Sequence, residues 1–209
     1  MITLMSMVFF LETVLAKEEE DWNVLDYFKH LPKKYLNFAG DAISSQSLSS
    51  LSQITDIQNG YIAFYEHHQA KRPWFVLTLF RSSTHSPLVA VTNRHYDFVC
   101  FWHDSFFLKR EGDLWREVST DVLPQLSPKL FYQNPKLPQY LIDYPSKTTF
   151  SYQFTLPRWG TIVNLSLDVC DYIDMMPQLL DEEINRLLHP DFNFKLKWDR
   201  NQGKFLFLK

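Results

Sequence analysis

Residues 97–120 read DFVCFWHDSFFLKREGDLWREVST, and the rest of the chain is organised around them. A run of aromatic and β-branched residues is followed by Lys109-Arg110-Glu111-Gly112-Asp113, then by Leu114 to Val118. Two β-forming runs split by a short charged turn with one glycine predict an antiparallel hairpin. Phe98 to Leu108 reads as one or two strands, and Leu114 to Val118 as the return strand.

Upstream, Gly60 to Tyr65, Trp74 to Phe80 and Leu88 to Thr92 are short segments rich in β-formers, separated by polar linkers holding Pro73 and Pro87. Trp74 to Phe80 is nearly apolar on both faces, which predicts a strand covered on both sides by a helix or a second layer. Further back, Trp22, Leu25, Phe28 and Leu31 recur every third residue with Val24 beside them, the pattern of an amphipathic helix over Asp21 to Leu31. Asp21 is its expected cap and Pro32 its stop. Gly40 to Gln53 is serine-rich and reads as a surface loop or a weak helix.

Downstream, Thr120 or Asp121 should cap a short helix confined by Pro124 and Pro128. Phe150, Tyr152, Phe154 and Leu156 alternate with polar residues, as do Val163, Leu165, Leu167 and Val169 beyond the turn at Pro157 to Gly160. That is a hairpin with one buried face. A helical stripe from Met175 to Leu188 follows, with Asp174 as cap and His189-Pro190 as stop. A last hairpin turns at Asp199 to Gly203, with Phe192, Phe194, Leu196 and Trp198 on one side. The expected fold is α+β: antiparallel sheet with helices packed on one face. Residues 17–209 form one domain in this reading, built as two tandem helix-plus-sheet units over 21–120 and 121–209 if the matching element order is a distant repeat.

The 209 residues carry a net charge of −3 with a pI near 6.1, so no overall field draws the chain to nucleic acid. Aromatics reach 16% with only 5 glycines, a balance that favours filled sheets over long flexible loops. Ile2 to Leu11 is an apolar run followed by the small residues of Val14-Leu15-Ala16 and by an acidic stretch. Residues 1–16 therefore read as a signal peptide, and the protein as exported to a periplasm or cell surface. The run is shorter than the ~20 residues that span a bilayer, and it lacks a leading Lys or Arg. An N-terminal helix packed on the domain is the other reading, and no membrane-spanning segment is expected in the mature chain. Cys100 and Cys170 stand far apart with no Cys-x-x-Cys pair, so they form either one disulfide or two buried thiols.

Several phrases taken together, Asp56-Ile57-Gln58-Asn59-Gly60-Tyr61, Leu156-Pro157-Arg158-Trp159-Gly160-Thr161, Leu167 to Asp174 and Leu196 to Phe205, resemble a set of uncharacterised exported bacterial proteins. The resemblance spans roughly residues 25 to 207 and implies export and a helix-plus-antiparallel-sheet build. The element order is also similar to the tandem units of β-lactamase-inhibitor-protein-like folds. Neither likeness brings an assigned catalytic residue with it.

Chemistry is sparse. His67, His68, His95 and His103 fall close together in sequence, and three imidazoles with a carboxylate could bind zinc, but their spacing matches no known ligand signature. His103-Asp104-Ser105 cannot act as a triad as written, because neighbours on a strand point to opposite faces. Asp168, Asp171 and Asp174 lack the glycine and terminal glutamate of a calcium loop. Trp159 beside Arg158 in a turn is the more telling pair. An indole there either folds back over its hairpin or stands exposed to stack on a sugar or a partner chain. The expected function is a non-enzymatic binding or interaction module without a cofactor, its partner a protein or a carbohydrate. Trp159, Arg158, Trp102 and His103 are its candidate ligand contacts. The alternative is a metal-dependent or acid-base hydrolase built on the four histidines.

Overall fold

A computed structural model describes residues 22–36, 52–65, 73–83, 86–97, 100–126, 152–167 and 194–208. Phe-Val-Leu-Thr-Leu-Phe, residues Phe75–Phe80, is buried at every position, and the architecture follows from it. This strand, β3, lies inside a six-stranded antiparallel sheet whose spatial order is its chain order: β1 (Ser52–Asp56), β2 (Tyr61–Tyr65), β3, β4 (Leu88–Asp97), β5 (Cys100–Glu111) and β6 (Leu114–Glu117). A second antiparallel sheet of four strands holds β7 (Tyr152–Thr155), β8 (Ile162–Leu167), β9 (Phe194–Asp199) and β10 (Lys204–Phe207), again as a meander. The described helices are few: α1 (Val24–His30), a 3-10 turn at Lys33–Tyr35, and α2 (Ser119–Val122). The protein is thus mostly antiparallel sheet, α+β in the broad sense.

Because side chains alternate along a strand, the six-stranded sheet feeds two separate cores. Ile62, Phe64, Phe75, Leu77, Val89 and Leu108 share one buried cluster with Val24, Tyr27, Leu31 and Tyr35 of the helical segment. The Phe28 ring centroid lies 5.5 Å from that of Phe64 and 5.7 Å from that of Phe75. On the opposite face, Ala63, Val76, Phe80, Leu88, Ala90 and Phe107 meet Phe154, Val163, Leu165, Leu196, Trp198 and Phe205 of the four-stranded sheet. Phe107 packs edge-on against Phe154 at 5.0 Å and Phe205 at 5.6 Å. A second layer therefore lies against β3, as its apolar sequence demands, and that layer is another sheet.

Several local expectations are corrected. Asn23, not Asp21, caps α1. Its side chain accepts from the Leu25 N–H at 2.8 Å, and Asp26 reaches back to the Asn23 N–H at 2.9 Å, a capping box. The fully buried line of the helix is Val24–Tyr27–Leu31, while Trp22, Leu25 and Phe28 are half-buried beside it. The helix ends before Pro32, with Leu31 extended. Val118 precedes α2 with no side-chain cap, so neither Thr120 nor Asp121 serves that role. The serine-rich stretch runs into a strand, since Ser52 and Gln53 begin β1. The hairpin turn expected over Lys109 to Asp113 tightens to Gly112-Asp113, because β5 runs on to Glu111 and pairs it with Leu114. Gly112 takes the positive φ of 61° that a two-residue turn requires. The expected helix from Met175 to Leu188 lies outside the described residues, as do residues 1–16.

Candidate functional site

Two turns from different sheets meet at one end of the molecule. The first, Ile57–Gly60, joins β1 to β2. Asp56 holds it closed: its carboxylate accepts from the Asn59 backbone N–H at 3.2 Å and from the Asn59 amide at 3.0 Å. Aspartate favours such turns because its side chain imitates a backbone acceptor. Gly60 then reverses the chain with φ 66° and lies so close to β3 that an added Cβ would stand 2.9 Å from the Leu79 Cβ. The Leu79 N–H donates to the Gly60 carbonyl at 2.8 Å.

The second turn, residues 156–161, joins β7 to β8. The Thr78 hydroxyl donates to the Pro157 carbonyl at 3.3 Å, tying this turn to β3. Arg158 Nε donates to Asp56 Oδ2 at 3.0 Å, and its guanidinium carbon lies 4.7 Å from the Trp159 ring centroid. Trp159 itself is 67% exposed, so the indole does not fold back over the hairpin. Of the two states open to it in the sequence, the exposed one is realised.

The electrostatics of this corner follow from those contacts. Hydrogen bonds from Asn59, then from Arg158, hold the Asp56 carboxyl below the usual carboxylate range. Burial pushes the Tyr61 phenol up, and the Tyr65 phenol beside it adds to the shift. Asp56 is thus an anion and Tyr61, buried at the start of β2, a neutral phenol. Asp56, Asn59 and Tyr61 stand in the sequence as part of a phrase that carries the resemblance and not as candidate site residues, although Asp-Ile-Gln-Asn-Gly carries the turn signal that places the first two.

The remaining candidates lie elsewhere. His103 meets β7 at Gln153, whose amide nitrogen is 3.0 Å from His103 Nε2, and Gln153 in turn accepts from the Ser166 hydroxyl at 3.5 Å. Arg158 and Trp159 lie beyond the end of that strand. His95 and His103 are inside β4 and β5, on successive rungs: His95 is opposite Trp102, and Arg94 opposite His103. Asp104 and Ser105 are opposite Asn93 and Thr92 on the following rungs. Cys100 opens β5 opposite Asp97, whereas Cys170, His67, His68 and the Asp168 to Asp174 run lie outside the described residues. Among the described residues, no group of three or more His, Cys, Asp or Glu is placed to hold a metal ion, and no helix is long and apolar enough to cross a membrane.

No family model and no curated protein matches the chain. Among solved structures, it is similar to a domain of an uncharacterized protein from Porphyromonas gingivalis W83, at 15% identity and a TM-score of 0.45, over 76% of this chain and 80% of that one.

Proposed function

We propose that the chain is an exported, non-enzymatic binding module that holds a carbohydrate against Trp159. The observation that carries this reading is an indole 67% exposed beside an arginine that is itself held in place. Arg158 covers the ring, Asp56 holds Arg158, and Asn59 holds Asp56. Exposing a tryptophan forgoes the burial of a large apolar side chain, worth about 2–3 kcal/mol, so a sequence that does so favours a ligand that replaces the lost contact. A flat aromatic plate with one face over a guanidinium and the rest open suits the alternating C–H and O–H surface of a sugar ring. In the same reading the helical segment on one face and the second sheet on the other brace the strands that present this corner.

The test is titration with a panel of soluble oligosaccharides and polysaccharides, read by calorimetry and by the emission difference between wild type and Trp159→Phe. A binding sugar should blue-shift the Trp159 emission, and Trp159→Ala should weaken it at least tenfold, the ~1.4 kcal/mol of a lost stacking contact. Binding that survives Trp159→Ala unchanged, or a panel that leaves the emission untouched, would overturn the reading. Export is tested separately by N-terminal sequencing of the native protein. A start after Ala16 is the expected result, and a chain still beginning at Met1 would refute it.

A further inference from the structure

The outer face of the four-stranded sheet is not the uniformly polar surface that a one-sided antiparallel sheet ordinarily presents. In the register of β8, β9 and β10, Ile162, Lys197 and Leu206 form one row across the sheet. Asn164 and Lys195 begin the next, and Leu208, whose N–H donates to the Lys195 carbonyl at 2.8 Å, completes it. Ile162, Leu206 and Leu208 are each about two-fifths exposed (41%, 42% and 42%). A cavity of about 570 Å³ opens here, lined among others by Thr161, Lys197, Arg200, Leu206 and Leu208. That volume is within the range of small-molecule sites.

The charge around it has one sign to spare. Lys195, Lys197, Arg200 and Lys204 are all exposed, and among the described residues none of them forms an ion pair. Asp199 is the one acid in the lining, and its carboxylate is occupied by its own turn. It accepts from the N–H groups of Asn201 at 2.9 Å and Gln202 at 3.1 Å, and from the Gln202 side chain at 3.2 Å. Aliphatic side chains beside unpaired cations complement a molecule with an apolar chain and an anionic head. Neutral sugars and apolar peptides would leave the lysines without partners.

We infer that this cavity binds a free medium-chain fatty acid, the acyl chain along Leu206 and Leu208 and the carboxylate at Lys197. The inference does not depend on the Trp159 reading. The experiment is calorimetry of the full chain with laurate below its micelle concentration, beside dodecyltrimethylammonium, decanoate and anionic phospholipid vesicles. Laurate should bind one to one and decanoate more weakly, by up to about fourfold per methylene removed. The cationic amphiphile should not bind. Lys197→Gln should weaken laurate about fivefold or more, the loss of a charge-assisted hydrogen bond, and Leu206→Ser should weaken it several-fold. Both positions are on the solvent face, so thermal melts confirm that the variants fold. Trp159→Ala should leave laurate binding intact. Equal binding of the cationic amphiphile, or laurate affinity unchanged in both variants, would overturn the inference. Binding to the vesicles without binding to laurate would overturn it in favour of a membrane surface.

Discussion

Strands β3 and β9 are both six residues long, yet their sequences follow different rules. Phe75–Phe80 is buried throughout, whereas Phe194–Asp199 alternates, with Leu196 and Trp198 buried and Lys195 and Lys197 exposed. The difference lies in what covers them. β3 has the α1 core on one face and the four-stranded sheet on the other, and both faces must be apolar. β9 has the six-stranded sheet on one face and an open surface on the other. Polarity is thus set by the number of layers a strand touches, and chemistry is left to the strands and turns that touch only one.

The largest effect that could break this comparison comes from matched truncations in the two strands. Phe75 is fully buried and packs against Phe28 and Phe64, so Phe75→Ala should cost about 3–5 kcal/mol. Lys195→Ala, on the outer face of β9, should stay within about 0.5 kcal/mol of wild type. Urea unfolding of the two variants checks both. Similar losses at the two sites would mean that the outer face of the second sheet is covered in solution.

The same contrast explains what could be read from the sequence. The hairpin of β7 and β8 and the final hairpin of β9 and β10 were legible because a one-sided strand writes its burial as alternation, as in Phe194-Lys195-Leu196-Lys197-Trp198. β3 was legible by the opposite sign, an apolar run with no alternation. What covers it was not legible, since apolar residues on two faces call for two layers without naming them. The cap of α1 was misplaced by two residues because Asp21 and Asn23 are both good caps, and only the reciprocal bond from Asp26 distinguishes them. At the candidate site, Arg158 and Trp159 stood out by residue type. Asp56 did not, because its partner Arg158 is about a hundred residues away in the other sheet. Local pattern does not record which turns converge.

The two glycine turns of the six-stranded sheet sharpen the picture at a smaller scale. Gly60 and Gly112 share a positive φ, 66° and 61°, so an alanine at either is strained by about 1–2 kcal/mol. Only Gly60 faces a packed neighbour; nothing lies within 4 Å of a Cβ added at Gly112. Overpacking against Leu79 adds about 1–3 kcal/mol. Gly60→Ala should therefore cost about 2–5 kcal/mol and Gly112→Ala about 1–2, read from the same denaturation curves. An equal cost at both turns would show that Leu79 moves aside and that the close approach is not rigid.

The smallest effect concerns the bond between the sheets at Asp56 and Arg158. Because Asn59 and Arg158 hold the Asp56 carboxyl below its unfolded value of 3.8, the folded state binds its proton less readily than the unfolded state. The resulting stability is fully present above the unfolded pKa and is lost as pH falls through the lower, folded value. Wild type should therefore keep a constant advantage over Asp56→Asn from neutral pH down to about 5, and the gap should close below it as both forms become uncharged at this position. Denaturation midpoints measured between pH 7 and pH 2 check the sign. Protonation also releases Arg158, whose guanidinium is held over the Trp159 ring through this carboxylate. The emission of Trp159 should thus change over the same acidic window in the wild type and stay flat in Asp56→Asn. A flat wild-type trace would mean that Arg158 keeps its stacked position without Asp56, and that the corner where the two sheets meet is ordered by the indole and the guanidinium alone.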